Sequence, residues 1–209
     1  MMKQILILLT FCACITAYAN DDKKEKKGYE IGDIATDFEL INVDETKVSL
    51  AQFEDAKGFV VIFTCNHCPF SVKYEDRIIE LDKKYKNLGY PVVAISPNDV
   101  EAFPEDDLPN MKIRATEKGF TFPYLYDETQ EIARAYGATK TPHVFLLHKE
   151  QINEEEALVV KYIGAIDDST RGNDIEEKYV EMAIEALQNG KEVNPSVTKA
   201  VGCSVKWKK

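Results

Sequence analysis

The feature that most constrains the fold is a buried strand that leads through two cysteines into a helix. Residues 58–64 (GFVVIFT) are almost all apolar, β-branched or aromatic, as expected of a strand covered on both faces. The sequence TCNHCP (64–69) follows, and apolar residues then recur at helical spacing from Tyr74 to Leu88. A second buried strand at residues 91–96 completes a βαβ unit, so the two strands are predicted to run parallel.

The rest of the chain extends this unit into an α/β domain over residues 29–190, followed by a C-terminal tail (191–209). We predict a thioredoxin-like fold, with a central mixed β-sheet flanked by helices and an N-terminal β-hairpin. The predicted strands are 38–43, 47–50, 122–126, 143–148 and 157–163, and the predicted further helices are 107–118, 128–136 and 173–188. The stripe predicted to be buried on the last helix is Ile175, Tyr179, Met182 and Ala186.

Residues 1–19 have the pattern of a signal peptide, with Lys3 near the start, an uncharged apolar run and small residues before Ala19. Cleavage after Ala19 would leave a charged linker (20–28) before the domain, and it predicts an extracytoplasmic protein, periplasmic or secreted. Such a protein would have no stable membrane insertion. There are two alternatives: an uncleaved membrane anchor, and a lipoprotein attached through Cys12 or Cys14.

The charge of the chain argues against one class of partner. The formal net charge is −10, which disfavours binding to nucleic acid. The cysteine count is informative as well, because removal of residues 1–19 leaves only Cys65, Cys68 and Cys203. Two closely spaced cysteines and one distant cysteine are typical of a redox couple rather than of a disulfide-stapled scaffold.

The position of the CxxC sequence favours redox chemistry over structural zinc. A zinc site needs a second pair of ligands at short spacing, and His67, His143, His148 and Cys203 are scattered singly, so we predict no metal and no cofactor. Unpaired N–H groups and the positive end of the helix dipole favour a thiolate at a helix start. We therefore predict that Cys65 is the more exposed, attacking thiol and Cys68 its resolving partner. His67 either lowers the thiol pKa or exposes a solvated ring.

Several segments together resemble a known family. ATDFEL (35–40), TCNHCP (64–69), FPYLYD (122–127) and Thr141-Pro142 look like the peroxiredoxin-like branch of the thioredoxin superfamily, close to AhpC/TSA and TlpA/ResA-type proteins. The resemblance implies that Pro142 is a cis-proline facing the disulfide and that Thr141 presents its backbone to a substrate cysteine. It also implies protein thiol or disulfide substrates and a redox partner that the sequence does not identify. The Pro-x-x-x-Thr-x-x-Cys pattern of a peroxidatic site is absent before Cys65.

Three functions follow as expectations. The first is an exported thiol–disulfide oxidoreductase that works through a mixed disulfide. The second is a thiol peroxidase in which Cys65 forms the sulfenate. The third is a copper-binding or copper-delivery protein with Cys65, Cys68 and His143 as ligands.

Three further positions have open roles at this stage. Cys203 is a candidate third redox cysteine, an intermolecular link or a thiol without a role. Asp99 is either a proton acceptor behind Cys68 or an ordinary turn residue. The acidic residues 105–107 are predicted to be solvated surface.

Overall fold

The computed structural model describes residues 28–209. The predicted signal peptide (1–19) and all of the predicted linker (20–28) except Gly28 lie outside the described residues. Across residues 28–209, no helix has the length and apolar character needed to cross a bilayer.

The described residues contain nine strands and four α-helices. The strands are β1 (Glu39–Asn42), β2 (Lys47–Ser49), β3 (Gly58–Phe63), β4 (Val92–Ser96), β5 (Tyr124–Tyr126), β6 (Lys140–Thr141), β7 (His143–Ile152), β8 (Glu155–Gly164) and β9 (Cys203–Ser204). The α-helices are α1 (Pro69–Tyr85), α2 (Leu108–Lys118), α3 (Glu131–Tyr136) and α4 (Tyr179–Gln188).

Seven of these strands form a mixed sheet in the order β2-β1-β5-β4-β3-β7-β8. Strands β3, β4 and β5 are parallel, so their carboxyl ends meet at one edge. Strand β7 is antiparallel to both β3 and β8, and β1 is antiparallel to both β2 and β5. This arrangement confirms the predicted mixed sheet with helices around it and an N-terminal hairpin. In open α/β sheets the carboxyl edge is where functional loops collect.

Strand β3 is buried along its whole length, as its sequence predicts, because both faces of the sheet are covered. Val60 and Ile62 point into the core shared with α1, α2 and α4. Val61 and Phe63 point into the opposite core, where the Phe63 ring packs edge-on against Tyr136 of α3 at 5.5 Å. This double packing fixes the end of β3, and therefore the position of the cysteines that follow it.

The last helix is shorter than predicted, since α4 begins at Tyr179 rather than near residue 173. Asp174 adopts a left-handed conformation (φ 54°), and Asp168 accepts a hydrogen bond from the Glu176 N–H, so this stretch folds as a loop. The predicted buried stripe was wrong, because Met182 is exposed, Tyr179 and Ala186 are only half-buried, and Ile175 lies before the helix. The residues of α4 that are buried are Val180, Ala183 and Ile184.

The C-terminal tail folds back onto the domain at the carboxyl edge of the sheet. Strand β9 pairs antiparallel with β6, with Cys203 opposite Thr141. Val205 is buried, and its N–H donates to the Thr139 carbonyl. The Arg134 guanidinium of α3 lies 4.4 Å from the centre of the Trp207 ring. The tail is therefore part of the packed structure and lies next to the cysteines.

Candidate active site

Cys65 and Cys68 lie where β3 passes into α1, as predicted, and both are free thiols. Cys68 is the N-cap of α1 and Pro69 starts the helix, a position where the missing proline N–H has no intrahelical partner. Both cysteines are almost completely buried, since Cys65 is 2% and Cys68 0% exposed. We predicted that Cys65 is the more exposed thiol, but the two exposed fractions differ by very little.

The Thr141–Pro142 segment faces the two cysteines, as the resemblance implied. The Cys68 thiol donates to the Thr141 carbonyl oxygen at 3.1 Å, and the Cys65 Sγ lies 3.5 Å from Thr141 Oγ1. The Thr141–Pro142 peptide bond is cis. One residue thus contacts both sulfurs, and it holds them against the start of β7.

The two thiols titrate as one unit because they are hydrogen-bonded to each other. That hydrogen bond raises the pKa of Cys65, and burial and the Asp106 carboxylate act in the same direction. The same hydrogen bond lowers the pKa of Cys68 against the effect of burial, and a hydrogen bond with Cys203 lowers it further. The pair therefore loses its first proton as a unit, and the attacking role predicted for Cys65 stays a prediction.

Asp106 is a buried acceptor at the centre of the site, so the prediction that residues 105–107 are all solvated was wrong. Its side chain is 0% exposed. Oδ1 accepts the backbone N–H groups of Asn66 at 2.8 Å and His67 at 3.0 Å, and Oδ2 accepts Asn98 Nδ2 at 2.8 Å. Asp106 is buried because these donors replace the water that a carboxylate loses. It ties the CxxC turn to the loop after β4.

His67 is fixed between the same loop and the cysteines. Its Nδ1 lies 2.5 Å from Asp106 Oδ2, and its ring stacks on Phe103 with 4.7 Å between the ring centres. The side chain is 18% exposed. Of the two open interpretations, the freely solvated ring is wrong, whereas tuning of the thiol pKa stays a prediction.

Asp99 does not contact either cysteine sulfur in the structure. Its N–H donates to the Lys206 carbonyl, and its Oδ1 accepts the Glu101 N–H at 3.1 Å, which is ordinary turn geometry. The acidic group that does lie beside Cys65 is Asp106. The predicted proton acceptor behind Cys68 is therefore not supported at Asp99.

The ligand set proposed for copper is not assembled. His143 is buried, its Nδ1 accepts the Thr139 N–H at 3.3 Å, and burial lowers its pKa to about 4. Within residues 28–209, the group of three metal-ligating residues whose atoms lie within 4.8 Å of one another is Cys65, His67 and Asp106. The 2.5 Å separation between His67 and Asp106 is a hydrogen-bond distance, shorter than the roughly 3.3 Å between two ligands of one tetrahedral ion.

Cys203 lies opposite Thr141, whose carbonyl oxygen accepts the Cys68 thiol, so Cys203 and Cys68 are neighbours. The sequence left open whether this cysteine has a role, and one alternative had it resolve Cys65. The structure places it next to the other member of the pair. Burial and the neighbouring Cys68 raise the pKa of Cys203 to about 11. Cys203 is half-buried, which makes it the most exposed of the three.

Sequence reasoning missed four residues that build the site: Asn66, Asn98, Phe103 and Asp106. Asn66 lies inside the CxxC turn, where its Oδ1 accepts the buried Tyr124 hydroxyl at 3.0 Å. The other three lie in the loop that follows β4. Their position in the sequence could have indicated a role, because the loop after β4 leaves the carboxyl edge of the sheet beside the end of β3.

A model of the AhpC/TSA family matches residues 31–162, which is more than half of the chain. The chain belongs to the AhpC/TSA family. Among its sequence relatives, the thiol-disulfide oxidoreductase ResA of Bacillus thuringiensis subsp. konkukian is 26% identical over 152 residues, covering 72% of this chain and 83% of that protein. ResA of Bacillus cereus is 27% identical over 146 residues, covering 70% and 79%. These AhpC/TSA relatives confirm the predicted redoxin branch, and the protein is an oxidoreductase.

Solved structures confirm the thioredoxin-like fold of this AhpC/TSA member. A hypothetical protein from Sinorhizobium meliloti 1021 is 34% identical with a TM-score of 0.77, covering 87% of this chain and 96% of that one. An uncharacterized conserved protein from Geobacillus kaustophilus is 38% identical with a TM-score of 0.77, covering 86% and 93%. Peroxidoxin BcpB from Mycobacterium tuberculosis, at 18% identity, shares the fold with a TM-score of 0.56 over 76% of this chain and 96% of that one.

Proposed function

We propose that this AhpC/TSA protein is an extracytoplasmic thiol–disulfide oxidoreductase that uses the Cys65–Cys68 couple on protein thiols or disulfides. The observation that carries the proposal is the placement of two free thiols at the start of α1, both in contact with Thr141. The sequence relatives named thiol-disulfide oxidoreductase ResA support the reaction class. The signal-like residues 1–19 support export.

The proposed step conserves protons and electrons. Cys65 attacks one sulfur of a partner disulfide and transfers its proton to the Cys68 thiolate with which it is hydrogen-bonded. The partner's other sulfur leaves as a thiolate and takes up that proton. Cys68, again a thiolate, then attacks Cys65 in the mixed disulfide, so the Cys65–Cys68 disulfide forms and the partner is fully reduced. The lowered pKa of Cys68 supports this resolving role.

Reduction of insulin disulfides, with dithiothreitol as the electron source, tests the reaction class. We expect activity in the native protein and loss of activity in Cys65→Ser. We expect Cys68→Ser to accumulate a mixed disulfide through Cys65, identified by peptide mass spectrometry. Trapping through Cys68 in Cys65→Ser instead would reverse the two roles. Absence of insulin reduction together with rapid, stoichiometric loss of the Cys65 thiol to hydrogen peroxide would refute the proposal and favour the peroxidase.

A further inference from the structure

The backbone edge expected to receive a substrate cysteine is occupied by the chain's own tail. Resemblance implied that Thr141 presents its backbone to a substrate, yet β9 pairs with β6 there, and Cys203 lies opposite Thr141. The tail therefore brings a cysteine of this chain to the position where a cysteine of another protein was expected. In the structure the tail pairs with this backbone, and the substrate-facing role of Thr141 stays a prediction.

The approach of the tail is close enough to require glycine at position 202. A Cβ at Gly202 would lie 2.1 Å from the Thr141 carbonyl oxygen and 3.1 Å from the Pro142 nitrogen. Such contacts are far inside van der Waals distance, so a side chain would displace the strand. The same Thr141 oxygen accepts the Cys68 thiol, so this contact brings the tail next to Cys68.

Tail docking is reinforced by polar contacts beyond Cys203. Asn98 Oδ1 accepts the Lys206 N–H at 2.9 Å, and Gln130 Nε2 donates to the Lys206 carbonyl at 2.8 Å. Gln130 Oε1 also accepts the Lys208 N–H at 2.8 Å. Because Asn98 is held by Asp106, the tail and the CxxC turn share one network. Cys203 is thus held in place beside Cys68.

We propose that Cys203 is a third redox cysteine, which exchanges with the Cys65–Cys68 disulfide at the Cys68 sulfur and connects the buried pair to the surface. The inference rests on the proposed function of that pair. Its basis is the placement of the sulfurs: Cys203 lies opposite Thr141 in the β6–β9 pair, and the Thr141 carbonyl oxygen accepts the Cys68 thiol. Cys65 and Cys68 are buried while Cys203 is half-buried. A thiol of another protein therefore reaches Cys203 with less rearrangement than either member of the pair.

The exchange is an isomerisation without net oxidation. The Cys203 thiolate attacks Cys68 Sγ in the Cys65–Cys68 disulfide, the Cys68–Cys203 bond forms, and Cys65 leaves as a thiolate that takes up the proton lost by Cys203. A thiol of a reducing protein then attacks Cys203, and Cys68 leaves as a thiolate that takes up the proton of that thiol. A second thiol of the reducing protein displaces Cys203 from the mixed disulfide, so the reducing protein is oxidised to a disulfide and Cys203 is a thiol again. Burial is the largest effect that raises the pKa of Cys203, and Cys68 adds to it, whereas Lys206 and Lys140 lower it. When Cys68 is in a disulfide, it no longer raises the pKa of Cys203.

Disulfide mapping of Cys65→Ser tests the inference. Tryptic peptide 58–73 contains both members of the pair, and peptide 200–206 contains Cys203. After oxidation of the full chain with glutathione disulfide, we expect these two peptides to be cross-linked within one molecule. Absence of that cross-link in Cys65→Ser, and equally in Cys65→Ala, would overturn the relay. Cross-links found only between two molecules would also overturn it.

A matched control moves the thiol by one residue. Cys203→Ser combined with Ser204→Cys, in the Cys65→Ser background, keeps one cysteine in the tail but presents it on the opposite side of β9. We expect at least about tenfold less intramolecular cross-link, because successive strand residues point to opposite faces. Equal cross-linking in this control would overturn the argument from tail geometry.

A further variant, Cys203→Ser, distinguishes failure of the relay from failure of the proposed function. Cys203→Ser keeps the pair, so oxidation is expected to remove two thiols within peptide 58–73 alone. If that disulfide forms and the Cys68–Cys203 disulfide does not form in Cys65→Ser, the inference fails and the proposed function stands. If the internal disulfide does not form in Cys203→Ser, the proposed function fails.

Discussion

Asp106 Oδ2 lies 2.5 Å from His67 Nδ1, and the same carboxyl group accepts the His67 backbone N–H through Oδ1. A single buried acid therefore fixes both the main chain and the ring of the residue between the two cysteines. It also places a negative charge beside Cys65, whose pKa it helps to raise. Asp106 thus stabilises the CxxC turn and disfavours the Cys65 thiolate. The two effects can be separated by substitution of Asp106.

Asp106→Asn is expected to make Cys65 more reactive. The amide keeps an oxygen for the two N–H groups of the turn but removes the charge that raises the Cys65 pKa. In a Cys68→Ser, Cys203→Ser background, we expect alkylation of Cys65 by iodoacetamide at pH 7 to be about three- to tenfold faster. The exposed Glu105 gives a matched control, since Glu105→Gln removes one charge from the same loop. Equal rates in the two variants would contradict the prediction.

Two substitutions of His67 separate its ring stacking from its contact with Asp106. His67→Ala loses both contacts, whereas His67→Phe retains a ring to stack on Phe103. We expect hydrogen exchange in residues 97–107 to be about tenfold faster in His67→Ala, because that loop loses its packing against the turn. His67→Phe should fall between this variant and the native protein. If His67→Ala left exchange in this loop unchanged, the loop would not depend on His67.

Acid is expected to destabilise the fold partly through His143. Its pKa is about 4 when folded because of burial, against 6.5 for an exposed imidazole. The unfolded chain therefore binds more protons between these values, so stability is full above pH 6.5 and falls as the pH drops towards 4, by up to about 3 kcal/mol. In urea unfolding at pH 7 and pH 4.5, His143→Gln should lose less stability than the native protein. Parallel pH profiles would show that His143 does not contribute.

Gly202→Ala is expected to detach the tail while leaving the domain folded. The added methyl group would lie 2.1 Å from the Thr141 carbonyl oxygen, so β9 must leave β6. Val201→Ala, a change at the neighbouring exposed residue, is the control. Proteolysis of the tail should be about tenfold faster in Gly202→Ala than in the control. Equal tail cleavage would mean that the strand accommodates the methyl group.

The elements that carry the two cysteines could be predicted from the sequence, whereas the residues packed around the cysteines could not. The βαβ unit and the Cys65–Cys68 turn were recoverable because a fully apolar strand and a helical repeat are local patterns. The burial of Asp106 was not, since it depends on donors from Asn66 and His67 about forty positions away. The start of α4 was misplaced because a loop is stabilised where the pattern permits a helix: the Asp168 carboxylate accepts the Glu176 N–H, and the Ser169 hydroxyl donates to the Asn173 carbonyl.

The docked tail gives the molecule an optical probe of its own. Trp207 is the sole tryptophan of the sequence, and its ring lies against the Arg134 guanidinium when β9 is paired. Any chemistry at Cys203 that shifts the tail also changes the surroundings of this indole, and with them its fluorescence. The position of the tail, and with it the chemistry of Cys203, can thus be followed in real time without a dye.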